Sequence, residues 1–70
     1  MSAFNILDPK YVQDPELLVQ SCKKLELKLN RPAGEIIKLT ANGYREFEAR
    51  GLVPAGTRLA FEKAAGIAAS

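Results

Sequence analysis

Apolar and polar positions along the 70-residue chain change period several times, and each change marks an element. Leu18, Cys22 and Leu25 recur at helical spacing behind a start signal at Asp14-Pro15-Glu16. Asp14 can accept a hydrogen bond as N-cap, Pro15 fits the first helical position, and Glu16 suits the positive end of the macrodipole. Lys23 and Lys24 suit a last turn. From Leu25 the period shortens, because Leu25, Leu27 and Leu29 alternate with Glu26, Lys28 and Asn30 as a half-buried strand requires. Arg31-Pro32-Ala33-Gly34 follows, with Pro32 at the second and Gly34 at the fourth position of a type I turn. The pattern thus predicts a β-hairpin with residues 35–39 as its return strand.

Thr40 then caps a central helix, with Leu39 before the cap and Tyr44 placed to close a hydrophobic staple. Gly51, after Arg50, fits the left-handed position that ends a helix, and Leu52 beyond it can pack on Phe47. Pro-Ala-Gly recurs at Pro54 to Gly56, again ahead of apolar residues spaced two apart. By analogy with Pro32 to Gly34, Thr57, Leu59 and Phe61 are expected on one face of a third short strand, with a short helix capped by Thr57 as the alternative. Before Asp14, the apolar residues Phe4, Ile6, Leu7, Tyr11 and Val12 follow no regular period and are interrupted by Pro9, as in an extended arm. These five side chains are candidates for binding a partner. The expected fold is therefore α+β: an extended arm over residues 1–13, one small domain over 14–63, and an Ala-rich tail over 64–70. A competing all-α arrangement of three short helices is left open, since Leu18, Cys22, Leu25 and Leu29 also fit one helical stripe from Pro15 to Asn30.

A chain this short builds only a small core, which favours self-association or docking on a larger surface. Ten Lys plus Arg against eight Asp plus Glu leave a net charge of +2, and the charges are interspersed, as on a mixed solvated face. Nucleic acid remains a possible partner on this balance, but not the favoured one. No stretch has the length of a membrane span and the single cysteine, Cys22, cannot close an intrachain disulfide, so a soluble, cytoplasmic protein with no membrane partner is expected.

Candidate chemistry is sparse. There is no His to act as general base or metal ligand, and Cys22 lacks a second thiol with which to bind a metal. Glu46 and Glu48, two apart on a helix, point away from each other and read as solvated carboxylates. The glycines form neither a GxGxxG nor a GxxxxGK(S/T) pattern. No catalytic residue, metal or cofactor is expected. The residues singled out are structural instead: Asp14, Pro32, Gly34, Thr40, Gly51, Pro54 and Gly56 as caps and turns.

The stretch Leu29-Asn30-Arg31-Pro32-Ala33-Gly34-Glu35-Ile36-Ile37-Lys38-Leu39, with Gly51-Leu52-Val53, resembles short accessory proteins of tailed bacteriophages. In these a Gly and an acid open a strand, a short helix follows, and a Gly-Leu-Val-like exit ends the unit. The resemblance implies a capsid or head-to-tail accessory role, and a location in the virion. The expected function is thus a non-enzymatic structural or interaction subunit that binds protein, either copies of itself or a larger assembly. Two alternatives stay open. Under the all-α arrangement the segment from Leu18 to Gly51 outlines a helix-turn-helix regulator offering Lys38 and Arg45 to DNA, and a small inhibitor of a host protein needs only a complementary surface.

Overall fold

A computed structural model of the chain describes residues 5–67, and these contain four helices and no strand. They are α1 (Pro9–Gln13), α2 (Pro15–Lys28), α3 (Glu35–Ala49) and α4 (Thr57–Ala65). Helices α2, α3 and α4 pack pairwise on one another, and α1 lies against α2.

The first two helices begin with Asp-Pro. Asp8 Oδ1 accepts from the Lys10 amide at 3.0 Å, and Asp14 Oδ1 accepts from the Leu17 amide at 3.4 Å. Proline follows each cap at the first helical position, where a missing N–H removes nothing from the helix. Asp14 also closes α1, its amide donating to the Lys10 carbonyl. The expected extended arm is therefore a turn and a short helix, because Asp8-Pro9 is a helix start of the same kind as Asp14-Pro15.

The last two helices begin with Pro-Ala-Gly. In both copies the amide after the glycine donates to the proline carbonyl at 3.2 Å, Glu35 to Pro32 and Thr57 to Pro54. Gly34 (φ 89, ψ −8) and Gly56 (φ 93, ψ −7) take the left-handed conformation that the third position of a type II turn demands. Each glycine carbonyl then accepts the first helical bond, from Lys38 and from Ala60. The repeated motif is a turn into a helix.

This overturns the predicted β-hairpin and the α+β class; the all-α alternative matches. Leu18, Val19, Cys22 and Glu26 form the buried stripe of α2, whereas Leu27 and Leu29 point to solvent, so the alternation at 25–29 is incidental to a helix of good helix formers. An isolated two-stranded hairpin would also be marginal in water, while a helix satisfies its own backbone. Residues 35–39 form the first turns of α3, and with them goes the strand implied by the resemblance to phage accessory proteins. The third strand is α4, with Phe61 and Glu62 buried and Leu59 exposed. Thr40 caps nothing: it lies in the middle of α3, buried, with Oγ1 3.5 Å from Cys22 Sγ. Leu39 is largely exposed, so no staple forms with Tyr44. Of the expected tail, Ala64 and Ala65 belong to α4 and pack on the core.

Gly51 sits in the left-handed position after α3, and the Leu52 amide reaches back to the Phe47 carbonyl at 2.9 Å, the backbone signature of a Schellman motif. Asn30 does the same after α2, with the Arg31 amide on the Glu26 carbonyl.

The core joins Leu18, Val19 and Cys22 of α2, Ile37, Ala41 and Tyr44 of α3, Val53, and Phe61 of α4. Tyr44 and Phe61 are fully buried and meet edge to face, with ring centroids 5.9 Å apart. The Tyr44 hydroxyl donates to the Ile6 carbonyl at 2.8 Å, and Ile6, Tyr11 and Val12 pack on the core. Three of the five residues expected to meet a partner thus lie on their own domain. Leu7 is over a third exposed, and Phe4 lies outside the described residues.

Two predictions follow from this architecture. Although the space around both glycines is open, Gly34→Ala and Gly56→Ala should each destabilise by about 1–2 kcal/mol, the cost of a left-handed conformation for a residue with a Cβ; Gly34→Asn should lose less. Urea unfolding measures this, and neutral alanine variants would refute the turn. Burial pushes the Tyr44 phenol up to about 12, with smaller contributions from Cys22 and Tyr11. Since tyrosine titrates near 10 in an unfolded chain, the contribution of this group is fully present below about pH 10 and is lost as pH rises through about 12. In a Tyr11→Phe variant, tyrosinate absorbance should appear together with unfolding at strongly alkaline pH; titration near pH 10 with the fold intact would contradict the buried hydrogen bond.

Candidate functional site

Glycine N-caps leave the amides of α3 and α4 without a local side-chain acceptor, and carboxylates from the preceding helices supply one. Glu26, near the end of α2, is buried, and its carboxylate spans the start of α3. Its Oε1 accepts from the Gly34 amide at 3.1 Å, and its Oε2 from the amides of Ile36 at 2.9 Å and Ile37 at 3.3 Å. Glu48 of α3 repeats the device, its Oε2 accepting from the Arg58 amide of α4 at 2.7 Å. Each acid stands eight residues before its glycine, Glu26 before Gly34 and Glu48 before Gly56. Burying a charge is tolerable here because Glu26 is hydrogen-bonded through both oxygens and faces the positive end of a helix dipole.

Sequence reasoning missed both acids. Glu26 reads as part of a mixed solvated face and Glu48 as a solvated carboxylate, since nothing local distinguishes them from Glu46, which is exposed. The signal that could have found them is the spacing, because Glu-x7-Gly accompanies both copies of Pro-Ala-Gly.

Beside this cap lies an open groove of about 400 Å³, lined by Lys23, Glu26 and Leu27 of α2, Arg31, Ala33 and Gly34 of the connection, and Ile37 of α3. Leu27 is 83% exposed, more than any other large apolar residue among those described. With Ala33 and Ile37 it makes an apolar surface edged by cations. Arg31 Nε forms an ion pair with Glu35 Oε2 at 2.6 Å, a contact that raises the guanidinium pKa further. The Lys23 side chain has no ion pair within the described residues. Of the turn and cap residues named from the sequence, Gly34 is brought into this groove and Pro32 into its connecting turn. Gly51, Pro54 and Gly56 serve the α3–α4 connection, and Asp14 the α1–α2 junction.

The remaining chemistry is limited. Cys22 is buried, and burial pushes its thiol pKa up, partly offset by the contact with Thr40. Glu62 is buried and accepts from Arg58 Nη1 at 2.8 Å, an ion pair within one face of α4. No group of three or more His, Cys, Asp or Glu among the described residues is placed to hold a metal ion. No helix among them is long and apolar enough to cross a membrane.

Removing the Glu26 carboxylate would leave three amides of α3 unpaired, two of them at or near the core. Glu26→Ala should therefore cost about 2–4 kcal/mol in urea unfolding, and Glu26→Gln, which keeps one acceptor oxygen, less. Glu46→Ala should stay within about 0.5 kcal/mol. Equal effects at positions 26 and 46 would refute the shared cap. No protein-family model, curated protein or solved structure matches the chain.

Proposed function

We propose that this protein is a small non-enzymatic binding module that docks a segment of another protein in the groove between the end of α2 and the start of α3. The carrying observation is Leu27, a large apolar side chain held almost wholly in solvent beside an apolar floor of Ala33 and Ile37. Singly exposed apolar residues are common on protein surfaces, but Leu27 continues an apolar floor at a concave site, and it is a contiguous apolar patch of this kind that marks a docking surface. The groove's volume falls within the roughly 300–1,000 Å³ typical of ligand sites. Its walls are rigid for a physical reason: the Glu26 carboxylate ties the two helices together at the groove's base.

A DNA-binding role is the second reading, favoured by one observation. Lys38, Asn42 and Arg45 are exposed at spacings of four and three along α3, which puts all three on one side of a helix in an all-α fold. Glu46 beside Arg45 and the small net charge of +2 weaken it. Binding of duplex DNA with a steep salt dependence, lost in Lys38→Ala and Arg45→Ala, would favour this second reading over the first.

The groove reading is tested by selecting displayed peptides of roughly four helical turns on the immobilised protein. Leu27→Ser should leave stability within about 0.5 kcal/mol, since the side chain is exposed. It should weaken the selected peptides at least about tenfold, as truncating a binding hot spot does. Selected peptides that bind Leu27→Ser as well as the parent would place binding elsewhere.

A further inference from the structure

We infer that the occupant of this groove is an acidic amphipathic helix of a partner protein, an inference that rests on the docking function proposed above. Charge complementarity, and the absence of any strand edge among the described residues, point to this occupant. Between Gln20 and Arg31 the chain carries four cations, Lys23, Lys24, Lys28 and Arg31, and a single acid, Glu26. That acid is withdrawn from solvent, with both oxygens occupied by the amides of Gly34, Ile36 and Ile37. What α2 presents around Leu27 is therefore uniformly cationic: Lys23, Lys24 and Lys28 are exposed, and none forms an ion pair within the described residues. The negative end of the α2 dipole accounts for Lys28 in the last turn, but not for Lys23 and Lys24 a turn earlier. Arg31 is partly neutralised by Glu35, which leaves Lys23 as the unpaired cation lining the groove, with Lys24 and Lys28 exposed on the same helix just outside the lining.

An apolar floor with a cationic rim selects a segment with an apolar face flanked by carboxylates. The segment's backbone must also be satisfied. An extended peptide is held either by a strand edge or, as a proline-rich helix, by an aromatic-lined groove, and the described residues contain no strand and the lining no aromatic ring. A helix brings its own backbone bonds and needs only a groove for its side chains. Nucleic acid fits the floor poorly, because the lining includes no aromatic ring on which a base could stack.

The test uses the same displayed peptides, randomised with equal supplies of Glu and Lys codons, and reads the sequences enriched on the intact protein. The expected result is apolar residues three and four apart with a net negative flank. Binding of those peptides should fall about tenfold or more between about 50 and 500 mM salt. A Lys23→Gln/Lys24→Gln/Lys28→Gln variant, altered at exposed positions only, should keep its circular dichroism, shift its melting temperature by only a few degrees and lose the acidic peptides by at least tenfold. Enrichment that depends on Leu27 but shows no charge bias, or a basic one, overturns this inference while leaving the docking groove standing. No Leu27-dependent enrichment at all overturns the docking function itself. Direct binding of duplex DNA, lost in the triple variant and unaccompanied by any acidic bias among the enriched peptides, would reassign the lysine face to nucleic acid and overturn this inference.

Discussion

The structure depends on one carboxylate placed across a helix boundary. A helix that starts with glycine has no side chain of its own to receive its first amides, and α3 starts this way inside a small domain where those amides lie close to the core. Glu26 receives three of them. The charge is buried, yet each oxygen meets amide hydrogens at the positive end of a helix, where a carboxylate is worth more than a neutral acceptor. The contact also fixes geometry. Because an acid in the last turns of α2 must reach the first turn of α3, the two helices cannot slide or splay without breaking three bonds together. The eight buried apolar residues among those described contribute little directional constraint by comparison.

The same arrangement recurs one helix later, where Glu48 of α3 reaches the start of α4, more lightly and with one bond. The chain from α2 to α4 is thus a succession of like steps, a helix, a left-handed exit, a Pro-Ala-Gly turn and a helix capped by its predecessor. The two steps differ by one residue in the connection: Asn30 takes the left-handed exit two residues before Pro32, and Gly51 three before Pro54. In the second connection Val53 fills the core just before its proline, whereas Arg31 in the matching place of the first faces outward beside the groove. The N-terminal segment lies close against α3: a Cβ at Gly43 would stand 3.0 Å from the end of the Ile6 side chain, and the Ile6 carbonyl accepts from the Tyr44 hydroxyl.

Much of the local punctuation was legible in the sequence. Asp14-Pro15 announces α2, and Gly51 is the left-handed exit of α3, because caps and exits follow from a few neighbouring residues. The class of fold was misread at two places. Alternating leucines at 25, 27 and 29 have the period of a strand, but only the inward-facing side of a helix must be apolar, and nothing forbids leucine on the outward side when that side has a use. Pro-Ala-Gly fits a turn that starts at Arg31 and returns a strand, but the turn starts one residue later, at Pro32, and leads into a helix. The groove was not legible at all. It is made by residues from three successive segments, and its key acid is indistinguishable in sequence from a solvated one until the helix boundary it serves is known.

Those misreadings have a common physical source, which also accounts for the groove. Residues 26 and 27 are neighbours in sequence and about 100° apart around α2, so the inward side carries the acid that holds α3 and the outward side carries a leucine that holds nothing within the chain. Folding alone would accept a lysine or glutamate at 27, and either would improve solubility. Leu27 stands against that preference where the Glu26 cap, the proline turn and the open side of Gly34 leave concave apolar space beside it. On the proposed docking function, a side chain that the fold does not need, next to a site that the fold holds in place, is accounted for by a contact from outside the chain.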